Sequence, residues 1–184
     1  MERKNGPWEI GDTKLIYKNH FIEVNEDEVI KPDGSQGRYA TVKMERGVCI
    51  LPVDGENNVY LTKQFRYALG GFSIESACGS IEGNEPELNA AKRELKEELG
   101  IEASKWIELG QTDLDTSIIK CPLSMFIATE LKFFPARPEG TEVMETIKLS
   151  LQDAVNMVMD GSITHNPSCL IILKADKLLS GSKE

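Results

Sequence analysis

Short apolar segments separated by turn-forming residues occupy the first part of the chain, and longer helical patterns follow them. The sequences KPDGSQG at 31–37 and DGENN at 54–58 are rich in residues that tolerate turn geometry. This pattern predicts strands rather than helices before the middle of the chain. The predicted strands are 14–17, 20–30, 38–44, 48–53, 59–66 and 72–75. The first two strands are expected to form a hairpin.

A second group of elements is predicted after the midpoint. Candidate strands lie at 106–109, 122–131 and 142–150. Ser150 and Asp153 are able to form a capping box at the start of a helix over residues 151–160. Asn166 and Pro167 open a last helix, because proline is well tolerated in the first helical turn. The predicted fold class is therefore α+β.

Between the two groups a helix is predicted at roughly residues 85–99. One stripe of this helix is apolar and would pack onto a core; it consists of Leu88, Ala91, Leu95 and Leu99. Asn84 is expected to cap the start by accepting a hydrogen bond from the amide of Glu87. Gly100 is expected to end the helix, because a residue without a Cβ enters the left-handed conformation at no steric cost.

Three carboxylates lie on another side of the same helix. Glu94, Glu97 and Glu98 fall within an arc of about 100°. Carboxylates this close repel one another unless a cation neutralises them, and hard oxygen ligands suit Mg²⁺ or Mn²⁺. The alternative is a solvated charged face, on which the interleaved lysine and arginine residues form ion pairs.

The string from Gly79 to Ile101 fits the pattern G-x5-E-x7-R-E-U-x-E-E-x-G-U, where U is a bulky aliphatic residue. The seven fixed places are filled by Gly79, Glu85, Arg93, Glu94, Glu97, Glu98 and Gly100. At a usage of roughly 7 % per fixed position, chance gives such a match with a probability of about 10⁻⁶. The chain here resembles the Nudix hydrolase family, whose signature this is. The resemblance implies an α/β/α sandwich around a mixed sheet, with a loop-helix-loop that binds metal and hydrolyses a nucleoside diphosphate linked to another group. It also implies that Arg93 and Glu85 brace the signature by a salt bridge or hydrogen bond.

The resemblance assigns the metal ligands by position. Glu94 and Glu98 are expected to be the principal ligands, and Glu97 a further one. The backbone carbonyl of Cys78 is expected to join them. Mg²⁺ is the implied cofactor, and Mn²⁺ is expected to be able to replace it.

Outside the signature the chain resembles the ADP-ribose and nucleoside diphosphate sugar pyrophosphatase branch of that family. The resemblance depends on Gln64-Phe65-Arg66-Tyr67 before the signature, the acidic segment Glu142–Glu145 after it, and the last helix that follows His165. It covers most of the chain in the same order. It implies a nucleotide-sugar substrate.

The branch also predicts where substrate and partner subunit bind. Arg66 is expected to bind a phosphate or a terminal ribose through two parallel hydrogen bonds. Arg38 and Tyr39 are expected to reach a nucleobase or a neighbouring subunit, because the branch commonly dimerises through its N-terminal subdomain. The implied organisation is an antiparallel β subdomain at 1–45, a Nudix hydrolase domain at 46–184, and a homodimer.

An acidic segment before the last predicted strand, PARPEGTEVMETIKL, is expected to supply the general base. In the branch a glutamate of this loop is implicated in orienting or deprotonating water, so Glu142 is the first candidate and Glu145 the second. Glu97 is a further catalytic candidate through its place in the metal cage. The expected products are a nucleoside monophosphate and a sugar phosphate.

Two departures from the branch leave the sugar open. Ala77-Cys78-Gly79 stands where the branch usually has Pro-Ala-Gly, and Asp115-Thr116-Ser117 stands where ADP-ribose enzymes usually have a proline. A nucleotide sugar other than ADP-ribose is therefore also a candidate substrate. Two further hypotheses are a nucleotide-sensing module without catalysis, and hydrolysis of nucleoside triphosphates or dinucleoside polyphosphates. The intact signature disfavours the first, and the N-terminal subdomain disfavours the second.

Composition narrows the class of partner. The chain has 184 residues and a formal net charge of −9, which disfavours nucleic acid because phosphate backbones are bound by clustered Lys and Arg. No apolar run approaches the roughly 20 residues of a membrane helix, so no membrane partner is expected. The four cysteines lack C-x-x-C spacing, which favours free thiols in a reducing cytoplasm. We therefore expect a soluble cytoplasmic protein.

Overall fold

The computed structural model describes residues 3–136 and 144–181. This part of the chain contains twelve strands and three helices. The strands are β1 (Arg3–Asn5), β2 (Trp8–Lys18), β3 (Ile22–Ile30), β4 (Gln36–Met44), β5 (Gly47–Pro52), β6 (Asn58–Arg66), β7 (Gly71–Glu75), β8 (Ala77–Ser80), β9 (Ile101–Asp113), β10 (Ile119–Lys120), β11 (Pro122–Phe133) and β12 (Met144–Ser150). The helices are α1 (Glu87–Leu99), α2 (Leu151–Met159) and α3 (Asn166–Ser180).

One compact unit consists of the residues up to Glu45 together with the segment Asp113–Cys121. Its sheet has the order β1-β2-β3-β4-β10. The strands β2 and β3 pair antiparallel, which confirms the predicted hairpin. The strand β10 pairs parallel with β4, with Ile119 opposite Val42. The unit formed by the N-terminal strands thus extends beyond the predicted boundary, because a later segment of the chain completes its sheet.

The other unit consists of Arg46–Thr112 and the residues from Pro122 onward. It contains a sheet of order β8-β5-β11-β9 and a second sheet of order β12-β6-β7. The strand β5 is antiparallel to β8 and parallel to β11, so the first of these sheets is mixed. The second is antiparallel throughout.

The core of this unit is built around β5, whose six residues are all buried. Val48 and Ile50 belong to one apolar cluster with Leu95 of α1. Because the side chains of a strand alternate between its two faces, Cys49 and Leu51 project to the opposite face, where α3 contacts β5. The mixed sheet therefore has a helix on each face. This arrangement confirms the predicted α+β class and its α/β/α layers.

The predicted cap of α1 is wrong, although the helix itself is confirmed. The helix begins at Glu87, and Pro86 occupies the N-cap position without any side-chain cap hydrogen bond. The first helical carbonyl is that of Pro86, which accepts from the amides of Asn89 and Ala90, so Asn84 lies too early in the chain to cap. The end agrees with the prediction, since Gly100 has φ 63° and its amide bonds to the last turn.

The later elements agree with the sequence in type and differ in length. Ser150 accepts a hydrogen bond from the amide of Asp153 at the start of α2, as predicted. The helix α3 begins at Asn166 with proline in its first turn. The strand β9 is much longer than the predicted segment 106–109, because pairing with β11 extends it over residues with little strand pattern of their own. None of the helices within the described residues has the length and apolar character needed to cross a bilayer.

Candidate active site

Arg93 ties the loop before α1 to the helix. Its Nη2 donates to Glu85 Oε1 at 2.6 Å and to the carbonyl of Ser80 at 2.9 Å. Its Nη1 donates to Glu94 Oε1 at 2.7 Å and to Glu97 Oε2 at 3.4 Å. The expected salt bridge between Arg93 and Glu85 is therefore present. An arginine with this many protein acceptors acts as a structural brace.

The neighbouring glutamates Glu85 and Glu94 stabilise the positive charge of Arg93. Burial lowers the pKa of Arg93, but the hydrogen bonds to Glu85 and Glu94 outweigh that effect, and the pKa lies above its ordinary value. The side chain is 26 % exposed, so the bridge to Glu85 is partly shielded from water. The signature helix thus carries a permanent positive charge beside its carboxylates.

Two signature carboxylates lie against the backbone of β8. A Cβ added to Gly79 would overlap the carboxylate of Glu94, so this approach requires glycine. The amide of Cys78 donates to Glu98 Oε2 at 3.3 Å. Glu98 is buried, with 8 % of its surface exposed. Glu94 and Glu98 are thus held beside the Cys78–Gly79 backbone, the segment whose carbonyl was expected to bind metal.

The donor types fit a hard divalent cation, because carboxylate and carbonyl oxygens are the ligands that Mg²⁺ prefers. Glu97 is held less closely than the other two, with its side chain 41 % exposed. Within residues 3–136 and 144–181, no three His, Cys, Asp or Glu side chains are gathered as a metal centre. Arg93 Nη1 contacts both Glu94 and Glu97, at 2.7 Å and 3.4 Å. Metal binding by this set would compete with Arg93 for the two carboxylates.

Arg66 and Glu75 form a bidentate ion pair at the ends of β6 and β7. Arg66 Nε donates to Glu75 Oε1 at 3.0 Å, and Nη2 donates to Glu75 Oε2 at 2.5 Å. The Glu75 side chain is 3 % exposed, whereas that of Arg66 is 41 % exposed. The carboxylate is therefore interior, and the guanidinium reaches the surface.

The surroundings of this pair are polar although they are buried. Thr62 and Gln64 precede Arg66 on the same face of β6, and Ser73 precedes Glu75 on β7; all three are buried. Buried strand positions are usually apolar, so a polar stripe of this kind favours a functional role. This face of the β6–β7 ribbon is the second part of the candidate site.

The charges of the two parts influence each other. The hydrogen bonds to Glu75 raise the pKa of Arg66 against the effect of burial, and the charge of Glu98 raises it further. The two parts are also joined along the backbone, because Glu75, which bonds to Arg66, is followed by β8, where the amide of Cys78 donates to Glu98. Burial raises the pKa of Glu75, but the hydrogen bonds from Arg66 and Ser73 and the charge interaction with His165 outweigh that effect, and the pKa is lowered.

Of the two candidate base residues, only Glu145 lies within the described residues, and its ion pair is with Lys63 of β6. Glu145 lies opposite Lys63, and its Oε2 is 3.7 Å from Lys63 Nζ. Because side chains alternate along β6, Lys63 and Glu145 project from the face opposite to that of Arg66. The Glu145 side chain is 70 % exposed. Glu142 lies outside the described residues, and the roles of both glutamates stay predictions.

Arg38 and Tyr39 make contacts inside the N-terminal unit. Arg38 Nη1 lies 3.3 Å from Glu26 Oε1, with its side chain 69 % exposed. The hydroxyl of Tyr39 donates to the carbonyl of Ser117, and its ring meets that of Trp8 edge to face at a centroid distance of 5.5 Å. Their expected contact with a nucleobase or a second subunit stays a prediction.

Three residues beside Arg66 were not singled out from the sequence. They are Glu75, His165 and Ser168. Ser168 Oγ accepts a hydrogen bond from the amide of Ser76 at 2.8 Å, and His165 Nδ1 lies 2.7 Å from the same oxygen. The sequence offered a signal only for Glu75. It is the one carboxylate in the otherwise uncharged segment FSIE, shortly before the signature glycine Gly79.

The fold is close to that of a solved structure, the crystal structure of an ADP compounds hydrolase. The TM-score is 0.85, with 98 % of this chain and 98 % of that chain covered, at 15 % sequence identity. At that identity the likeness establishes the fold. The molecule thus shares the fold of that protein and has a carboxylate helix at its candidate site.

Family models identify both parts of the chain. A NUDIX domain model matches residues 43–153, and a model of the nucleoside diphosphate sugar hydrolase N-terminal domain matches residues 8–42. The chain therefore belongs to the Nudix hydrolase family and is an enzyme of that family.

Curated relatives agree with this assignment. An ADP-ribose pyrophosphatase of Bacillus subtilis (strain 168) is 30 % identical over 146 residues, which are 78 % of this chain and 78 % of that protein. A GDP-mannose pyrophosphatase of Klebsiella pneumoniae subsp. pneumoniae is 26 % identical over 186 residues, covering 93 % of each chain. The predicted resemblance to the ADP-ribose and nucleoside diphosphate sugar branch is confirmed.

Proposed function

We propose that the protein hydrolyses the diphosphate bond of ADP-ribose or another nucleoside diphosphate sugar in a Mg²⁺-dependent reaction. Water adds to one phosphorus and the bridging P–O bond breaks, which gives a nucleoside monophosphate and a sugar phosphate. The names of the relatives, an ADP-ribose pyrophosphatase and a GDP-mannose pyrophosphatase, support this substrate class. The match of residues 8–42 to the N-terminal domain of nucleoside diphosphate sugar hydrolases supports it independently.

The observation that carries the proposal is the proximity of a phosphate-binding group to anionic metal-binding groups. Arg66 is partly exposed and bonds to Glu75 at the end of β7, and three residues further along the chain the amide of Cys78 donates to the buried carboxylate of Glu98. A diphosphate needs both kinds of contact, because its charge must be neutralised while one phosphorus is attacked. Arg66 is assigned to the substrate phosphate or terminal ribose.

Glu94, Glu97, Glu98 and the carbonyl of Cys78 are assigned to the metal. Bound Mg²⁺ would neutralise phosphate oxygens and lower the pKa of a bound water. The protein itself holds Glu94 and Glu98 in place through the glycine contact and the Cys78 amide. Arg93 keeps the loop before α1 closed onto the helix by its bonds to Glu85 and Ser80.

Proton removal from the attacking water is assigned to a glutamate. Glu142 is the first candidate by its place in the sequence, and Glu145 is the second. The exposed position of Glu145 beside Lys63 supports the preference for Glu142. A general base must come within hydrogen-bond reach of the attacking water.

The N-terminal unit is assigned to dimer formation, and Arg38 and Tyr39 are assigned to contacts with the nucleobase or the second subunit. The exposed apolar residues of its strands, among them Leu15, Ile16 and Tyr17, support an interface there. The cysteines within the described residues are free thiols, which supports a cytoplasmic location.

A substrate panel tests the proposed function. The purified protein is incubated with Mg²⁺ and ADP-ribose, GDP-mannose, UDP-glucose or NADH, and products are identified by chromatography and mass spectrometry. We expect a nucleoside monophosphate and the matching sugar phosphate from at least one nucleotide sugar, and no turnover when the metal is chelated. Release of products only from nucleoside triphosphates, or from none of these compounds, would contradict the proposal.

A further inference from the structure

The geometry points to Glu75 as a positioning residue that fixes the guanidinium of Arg66 for the substrate diphosphate, with His165 and Ser168 holding Glu75 in place. This inference rests on the proposed function, since it assumes that Arg66 contacts the diphosphate. Beyond the proposed function, the inference assigns Glu75, His165 and Ser168 to a group that acts through Arg66 and does not touch the substrate.

The first observation is how the guanidinium is held. Two of the five N–H groups of Arg66, one on Nε and one on Nη2, bond to Glu75. Because the guanidinium is planar, two parallel bonds along one edge prevent it from rotating in its own plane. Because the Nε and Nη2 edge of the planar guanidinium faces Glu75, the edge formed by Nη1 and the second N–H of Nη2 faces away from it. Among the described residues no hydrogen bond uses Nη1. This edge is presented for an external acceptor with two oxygens, such as a phosphate.

The second observation is the burial of Glu75. An ionised carboxylate that is 3 % exposed is costly unless its partners are well placed. Arg66 and the neighbouring Ser73 supply hydrogen bonds that keep Glu75 charged. The pair has no net charge, so Glu75 weakens the long-range attraction of Arg66 for phosphate. Its benefit is therefore orientation, which matters when a phosphate must be bound in one geometry.

The third observation is the contact with the start of α3. Ser168 is fully buried and accepts a hydrogen bond from the amide of Ser76, the residue that follows Glu75. His165 Nδ1 lies 2.7 Å from Ser168 Oγ and 3.7 Å from Glu75 Oε2. The two side chains thus fix the backbone beside Glu75 and border its carboxylate. They link an element near the end of the chain to the orientation of Arg66.

A double-mutant cycle separates this role from a purely structural one. Glu75→Gln keeps the size of the side chain but weakens the paired ionic bonds. It is expected to lower kcat/KM for the preferred nucleotide sugar about tenfold in the parental protein. In an Arg66→Ala background the same change is expected to lower kcat/KM less than about twofold, because Glu75 then has nothing to position. Ser168→Ala is expected to follow the same pattern with about a threefold effect.

Controls keep the test decisive. Glu87→Gln alters another Glu–Arg pair of the same unit, with Arg46 at 3.1 Å and Glu87 38 % exposed, and should change kcat/KM less than about twofold. Circular dichroism checks that each variant is folded. If Glu75→Gln does not fold, Ser168→Ala with Arg66→Ala forms an equivalent cycle.

The outcomes distinguish the inference from the proposed function. Losses that multiply independently in the double variant would overturn the inference and leave the proposed function standing. An inactive parental protein would overturn both. A loss from Glu75→Gln that disappears without Arg66 supports the inference.

Discussion

Arg93 and Arg66 both lie among carboxylates, but their hydrogen bonds are arranged differently. Arg93 distributes its two terminal nitrogens over Glu85, Ser80, Glu94 and Glu97. Arg66 turns one edge to a single buried carboxylate and exposes 41 % of its side chain. The terminal nitrogens of Arg93 are bonded within the protein and hold a loop to a helix, whereas Arg66 keeps one edge without a protein acceptor among the described residues. This difference in bonding distinguishes a bracing arginine from the arginine proposed to bind the substrate.

The largest effect is expected from the helix that Arg93 braces. Glu98→Gln removes the charge of a proposed metal ligand and should lower kcat by about 100-fold or more, because the loss of a residue that only supports a ligand already costs about 10–100-fold. The fold should be kept, since glutamine still accepts the hydrogen bond from Cys78. The rate of nucleotide-sugar hydrolysis at saturating Mg²⁺ measures this effect. Parental turnover by Glu98→Gln would remove the basis of the metal assignment.

Gly79→Ala tests the close approach between β8 and α1. The added Cβ would overlap the Glu94 carboxylate and displace it, so we expect kcat/KM to fall about 10-fold to 100-fold. The matched control is Gly55→Ala, because a Cβ at Gly55 meets no atom within 4 Å. Kinetic measurements on both variants check the prediction. Equal activity of the two would show that the position of Glu94 does not matter for turnover.

Replacing each arginine with lysine tests whether Arg93 mainly stabilises the fold and Arg66 mainly binds the substrate. Arg93→Lys should lower the free energy of unfolding by about 2 kcal/mol, because one ammonium cannot reach all the acceptors that the guanidinium holds. Arg66→Lys should raise KM by about tenfold, because lysine cannot offer a fixed edge to phosphate. Urea unfolding and steady-state kinetics are measured on both variants. If Arg66→Lys left KM unchanged, the distinction between the two arginines would be lost.

The smallest effect is a pH dependence of stability. The pKa of Glu75 is lowered in the folded protein, so its contribution to stability is present above its unfolded pKa and is lost as the pH falls through the folded value. The free energy of unfolding should therefore differ most between the parental protein and Glu75→Gln at about pH 7, and less at about pH 3. Urea unfolding over this range measures the difference. A difference that grew on acidification would contradict the lowered pKa.

The signature helix was predictable because its information is local. Leu95 and Leu99 set its buried stripe, Gly100 ends it, and Arg93 meets Glu85 only eight residues away. The predicted cap at Asn84 was wrong because two start positions lie close together in the sequence. Capping preferences favour Asn84, but the helix begins at Glu87 with Pro86 at the N-cap position. Helical periodicity and short-range charge pairs are visible in a sequence.

In the part of the site around Arg66, the arginine was predicted from the sequence and its partners were not. Arg66 was found by its place in the family pattern, whereas its partners depend on tertiary packing. Ser76 and Ser168 are 92 residues apart in the sequence, yet one donates a hydrogen bond to the other. Nothing in the sequence near His165 indicates that α3 begins beside Glu75. The pairing of β10 with β4 escaped prediction similarly, because a strand of two residues has almost no pattern.

The return of Asp113–Cys121 to the N-terminal sheet has a consequence for biosynthesis. A ribosome releases the chain from its N-terminus, and domains generally fold as units when their residues become available. The N-terminal unit is complete only after residue 121 has emerged, long after the residues up to Glu45 that contain its first four strands. Until then β4 lacks its parallel neighbour β10 and exposes an unpaired strand edge. Such an edge can pair with another chain and cause aggregation during synthesis.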